Sequence, residues 1–185
     1  MYFFSNEEFF NFKNSTNVEQ AYFEILNSNL DNALILFSKT DSARTRWGIS
    51  FVQILQGYLS LYPTYFGIRN FLEIDLDFLL KNEKIEYVEQ LLGALSILAD
   101  INYEVYKYVA RVMYENRYYN VVEKYLEKSK EMLYKDPELH YLYAKYYFRA
   151  KDYALSKFYI NECLKILPEY VPAKIFKQVI SRYLD

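Results

Sequence analysis

The chain has 185 residues but only 4 glycines and 4 prolines. Tight turns draw heavily on those two residues, so this shortage excludes an all-β protein with many turns and leaves helices joined by short connections. There is one cysteine, Cys163, which excludes an intramolecular disulfide and fits a reducing, cytoplasmic setting. There is also one histidine, His140, and two such ligands fall short of the roughly four that a structural zinc site takes. No segment approaches about 18 uncharged apolar residues, so no membrane span is expected. The start, Met1-Tyr2-Phe3-Phe4-Ser5, lacks the basic stretch and long apolar run of a secretory signal. Charge of one sign is scarce: 22 basic and 24 acidic residues are interspersed and leave a net charge of −2. That argues against a nucleic-acid partner held by a broad basic face. No glycine-rich phosphate loop is present, and no cofactor is expected.

Apolar residues make up 52% of the chain, enough to build a core, and 22 of them are tyrosines. Tyrosine has an apolar body and a polar tip, which suits helix interfaces and wet binding surfaces. The clearest order lies in residues 102–170, which read as one helix pair written twice. The copies start at Tyr103 and Pro137, a separation of 34 residues. The first supplies Tyr106, Val109, Ala110, Met113, Tyr119, Val122, Leu126, Ser129 and Tyr134. The second supplies His140, Tyr143, Ala144, Tyr147, Tyr153, Ser156, Ile160, Cys163 and Pro168. Asn116-Arg117-Tyr118 and Ala150-Lys151-Asp152 give two turns of equal length. In period and in this order of large, small and aromatic residues, the stretch resembles the tetratricopeptide repeat family. His140 and Val122 depart from it, standing where Trp and Ala are common. The resemblance implies an all-α fold, a right-handed α-α superhelix of antiparallel helix pairs closed by a C-terminal capping helix. Ala110 and Ala144 are then the small residues that let paired helices approach closely.

Read in order, the whole chain is one helical repeat domain in four parts. Residues 1–16 form an aromatic arm, in which Ser5 and Glu8 have capping-box spacing and open a short helix at residues 6–13. Its Phe3, Phe4, Phe9, Phe10 and Phe12 either dock on the first helices or pair two chains. Residues 17–101 hold degenerate repeats: helices at 18–27, 32–39 with Asp31 as cap, 42–61 with Asp41 as cap, 65–81 with Thr64 as cap, and 85–98. Gly48 and Gly57 are interior glycines of the 42–61 helix, which could pair backward or forward. Residues 102–170 are the two clear units. Residues 171–185 form the cap, with Ile175, Phe176, Val179, Ile180 and Tyr183 on its buried face.

For catalysis, Cys163 and His140 are the strongest nucleophile and base, but the repeat register puts both at packing positions. Asp75 and Asp77 read as a solvated helix face rather than an acid–base pair, since residues two apart do not face each other on a helix. No catalytic or metal-binding residue is therefore expected. The resemblance implies instead a concave groove lined by one face of the first helix of each pair. Carried over to this chain, it offers Lys107, Arg111, Tyr114, Tyr141, Lys145, Phe148 and Arg149, with Glu104, Glu115 and Glu138 beside them. The family's carboxylate clamp is not expected, because Arg111 stands where the clamp needs Asn. Cations beside aromatics suit an acidic protein or peptide segment with an apolar anchor. The expectation is a non-catalytic interaction scaffold, with a self-assembling module or homodimer, or the repeat domain of a larger complex, joined through the apolar N-terminal surface, as the alternative.

Overall fold

The structure is a computed structural model and describes residues 16–184. The arm's capping box, short helix and phenylalanines lie outside the described residues. Among those residues there are eleven helices and no strand. They fall into two compact units, Met1–Ile101 and Asn102–Asp185.

The first unit holds α1 (Asn17–Leu26), α2 (Leu30–Phe37), α3 (Ala43–Leu55), α4 (Tyr65–Lys81), α5 (Ile85–Gly93) and α6 (Leu95–Ile101). Thr16 opens α1 through a reciprocal box, its hydroxyl accepting from the Glu19 amide while the Glu19 carboxylate accepts from the Thr16 amide. Ser42, not Asp41, opens α3 by the same device with Thr45, and Asp41 pairs with Arg46 on the surface. Asp31 likewise caps nothing; it accepts from the Gln56 side-chain amide at 2.8 Å. Thr64 does cap α4, accepting from the Gly67 amide at 3.0 Å. Gly48 marks a close crossing: a Cβ there would lie 2.6 Å from the ring of Phe37, which is itself fully buried. Gly57 is not interior. It takes φ 84° and ends α3 at Leu55, with the Tyr58 amide bonded back to the Gln53 carbonyl at 3.0 Å. The expected 85–98 helix breaks in two at Gly93-Ala94, where glycine, a poor helix former, sits at the joint. α3 packs on α2, α4 and α5, so it pairs in both directions.

Asp75 is fully buried on α4, which overturns its reading as a solvated residue. Its carboxylate accepts from the Tyr22 hydroxyl at 2.9 Å, the Trp47 indole N–H at 2.5 Å and the Arg44 guanidinium at 2.5 Å. Arg44 lies between the rings of Tyr22 and Phe71. Burial pushes the Asp75 carboxyl above its ordinary range, opposed by Arg44 and the two other donors. One carboxylate thus ties α1, α3 and α4 together. Asp77, by contrast, pairs with Lys81 on the surface side of the same helix.

The second unit holds α7 (Val105–Glu115), α8 (Tyr119–Leu133), α9 (Pro137–Arg149), α10 (Tyr153–Ile166) and α11 (Val171–Ser181). α8 packs on α7, α9 on both, α10 on α9, and α11 on α10. Asp136 and Asp152 cap α9 and α10, and Pro137 occupies the first turn of α9, where its missing N–H costs nothing. Ala144 meets α10 so closely that the Ser156 hydroxyl donates to its carbonyl at 2.8 Å, with both residues fully buried. On α11 only Ala173 and Ile180 are buried, while Ile175 and Tyr183, expected inside, are exposed. α11 also runs to Ser181 rather than further, so its inward face is narrower than the apolar spacing suggested.

The 34-residue period is visible in the backbone. Glu83, Arg117 and Lys151, spaced by that number, all take left-handed φ values, 57°, 68° and 65°. After each, the next amide bonds back to the helix it leaves: Lys84 to Leu79, Tyr118 to Met113 and Asp152 to Tyr147. The turn therefore recurs between α4 and α5, where the side-chain pattern does not.

Candidate functional site

The seven residues expected to line a groove all lie on α7 and α9 of the second unit, but they separate into two chemically different sets. The first is an ion cluster. The Lys107 ammonium donates to Asp136 at 2.5 Å and to Glu104 at 2.9 Å, with Glu138 at 3.2 Å. Arg111 reaches the other oxygen of Glu138 at 2.8 Å. Lys107 is only 3% exposed. Burial pulls its pKa down, but the bonds from Asp136 and Glu104 outweigh that and hold it above the ordinary lysine range. Lys107 is thus a buried structural cation rather than the groove-lining one expected from its register. It fixes the start of α9 to α7 through Asp136, the residue that caps α9. With three carboxylates to two cations, this end of the face carries no spare positive charge.

The second set lies one to two turns further along. The Lys145 ammonium sits over the Tyr114 ring at 4.8 Å and near the Tyr141 ring at 6.0 Å. The Arg149 guanidinium sits over the Tyr119 ring at 5.1 Å. Tyr114 and Tyr119 meet edge to face at 5.5 Å, closing a four-residue patch. Among the described residues, no carboxylate pairs with Lys145 or Arg149. Lys145 and Arg149 are four apart on α9, so they project from one face about a turn apart. Burial raises the Tyr114 hydroxyl above its usual range, the neighbouring Tyr119 adds to this, and Arg149 opposes it.

Tyr141 and Phe148 are half-buried against the last helix. Tyr141 meets Tyr170 at 5.5 Å and Phe176 at 5.9 Å, edge to face. Phe148 meets Phe176 at 5.2 Å and Tyr183 at 5.1 Å. These two aromatics hold α11 and form the apolar border of the patch. The Phe148–Tyr153 pair, at 5.4 Å, repeats the Tyr114–Tyr119 pair 34 residues on. The reading from sequence missed Tyr119 as a member of the patch, because the groove was expected on the first helix of each pair and Tyr119 opens the second. Its signal was present in that repeat of aromatics at the start of each second helix.

The remaining chemistry-bearing residues lie elsewhere. His140 is buried, its Nε2 2.6 Å from the Tyr134 carbonyl oxygen and its ring stacked at 6.0 Å on Tyr159. Cys163 is fully buried, and burial together with Asp136 pushes its thiol up to about 11. Both fill the core of the α9–α10 pair. Beside them three tyrosine rings stack nearly parallel, Tyr143 on Tyr159 at 4.4 Å and Tyr147 on Tyr159 at 5.5 Å. A shallow open depression of about 420 Å³ lies between α10 and α11, lined in part by Phe158, Lys165 and Lys177, and contains none of the expected groove residues. Among the described residues, no helix is long and apolar enough to cross a membrane, and no cluster of three His, Cys, Asp or Glu could hold a metal ion. The chain matches no protein-family model, and no curated protein or solved structure is significantly similar to it.

Proposed function

We propose that the chain is a non-catalytic, cytoplasmic protein-interaction module, built as a tetratricopeptide-like right-handed superhelix, that binds an acidic protein segment carrying a large apolar residue. The observation that carries this reading is the Lys145–Arg149 pair, laid on Tyr114 and Tyr119 with no carboxylate of its own among the described residues. An incoming Asp, Glu or chain-terminal carboxylate meets two cations there without displacing an internal partner. At Lys107 it would have to compete with Glu104, Asp136 and Glu138. The tyrosines offer rigid, amphipathic contact area for the apolar neighbour, and aromatic and arginine side chains are the residues that most often carry binding energy.

The test begins with capture of the partner from the source organism, followed by titration against the purified chain at two salt concentrations. Lys145→Glu and Arg149→Glu should each weaken binding and flatten its salt dependence, with the fold unchanged by circular dichroism. Tyr114→Ala should cost more affinity than either charge reversal at high salt, where screening has removed most of the charge term. A partner whose affinity is the same for all three variants overturns the reading.

A further inference from the structure

The chain itself contains a segment of the chemistry that the patch selects. Residues 3–12 read Phe-Phe-Ser-Asn-Glu-Glu-Phe-Phe-Asn-Phe, five phenylalanines around two adjacent carboxylates. We propose that this segment, supplied by a second copy of the chain, occupies the Tyr114–Tyr119–Lys145–Arg149 patch and so both pairs two chains and competes with other ligands. The inference rests on the functional reading above and names a particular occupant for the same surface.

Three observations support it. The charges match in number: the segment holds two adjacent carboxylates, Glu7 and Glu8, and the patch two cations that lack an internal carboxylate among the described residues. The apolar content matches too. The patch borders Phe148, half-buried among Phe176, Tyr153 and Tyr183, and removal of phenylalanine side chains from water favours their docking there. The reach is sufficient. Ten extended residues span about 33 Å, against about 20 Å for the 13-residue helix α9 that carries the cations. The α10–α11 depression fits less well, since its Lys165 is already paired with Glu162.

Self-association of the full chain, followed by sedimentation velocity over a wide concentration range, tests the proposal. The wild-type chain should pass from monomer to dimer as concentration rises. Glu7→Lys with Glu8→Lys should weaken dimerisation by about tenfold or more, the effect of about 1.4 kcal/mol. Lys145→Glu with Arg149→Glu should do the same. Combining all four substitutions in one chain should restore the dimer, because the charges are again opposite, and that rescue separates a lost contact from a lost fold. Phe9→Ser with Phe10→Ser should weaken pairing without altering the salt dependence of what remains. A chain that is monomeric at every concentration overturns the inference, even if it still binds its captured partner through Arg149, in which case the functional reading stands. A dimer unaffected by the charge reversals, or one that the fourfold variant fails to restore, also overturns it.

Discussion

The Asp75 carboxylate permits a sharp test of what holds the first unit together. Asp75→Ala removes the acceptor for three donors at once. The indole N–H of Trp47, a residue 1% exposed, and the hydroxyl of Tyr22, a residue 9% exposed, would be left without it inside the core. Each orphaned donor costs about 1–3 kcal/mol. The Arg44 side chain is 22% exposed and can recover part of its hydration, so its share is smaller than that of a sealed charge. Breaking a buried ion pair from one side costs about 3–5 kcal/mol, and we expect Asp75→Ala to fall in that range. Arg44→Met should cost a similar amount, because it leaves the fully buried carboxylate with two neutral donors. The double variant Asp75→Ala with Arg44→Met should cost far less than the sum of the two single variants, as the two residues act through one contact. Trp47 is the only tryptophan and donates directly to Asp75, so its fluorescence during urea unfolding reports this contact. A shift below about 1 kcal/mol for Asp75→Ala, or additive costs in the double variant, would refute the reasoning, with about 1 kcal/mol also being the net worth of one ordinary hydrogen bond.

Two further outcomes follow from the second unit and from the buried tyrosines. Ala144→Leu should overpack the α9–α10 crossing, where the Ser156 hydroxyl reaches the Ala144 carbonyl, and should cost about 1–3 kcal/mol; Ala154→Leu, on the exposed side of α10, should be close to neutral in the same urea experiment. Burial, followed by carboxylate contacts, holds the hydroxyls of Tyr22, Tyr108, Tyr143 and Tyr147 above the ordinary tyrosine range. The unfolded chain therefore loses protons first, and stability present below about pH 10 should decline as pH rises past that value. Tyrosinate absorbance should climb in two stages, the second coinciding with loss of helical circular dichroism; a single gradual rise with helix intact would contradict the assignment.

Much of the architecture was readable because it depends on short-range chemistry. The 34-residue echo, the cap at Thr64 and the close crossing at Gly48, whose neighbour Phe37 stands eleven residues before it, rest on patterns within short stretches of the chain. What escaped depends on contacts across long separations. Asp75 looked solvated because its partners Tyr22, Arg44 and Trp47 stand 53, 31 and 28 residues away. Lys107 occupied a groove position by register, yet Asp136, 29 residues on, draws it inside. Periodicity marks which face of a helix is turned inward, but not whether a charged residue at the edge of that face meets its opposite. The same limit explains Gly57, whose place at a helix end follows from a left-handed turn rather than from the apolar spacing around it.

The recurrent left-handed turns carry a consequence for how such a chain can lengthen. A cut after Arg117 and another after Lys151 release a cassette whose two ends share one backbone conformation, φ 68° and 65°. Inserted again in tandem, it would meet at each junction a turn of the shape it already had. At the junction, duplication of that cassette calls for the same left-handed φ that the turn residue already has, and the side chains between neighbouring copies are left for substitution to adjust. None of the three turn residues is glycine, so each junction carries a strain of about 1–2 kcal/mol that a single replacement by glycine could relieve. An array of this kind can be extended first and stabilised afterwards, one residue per added cassette.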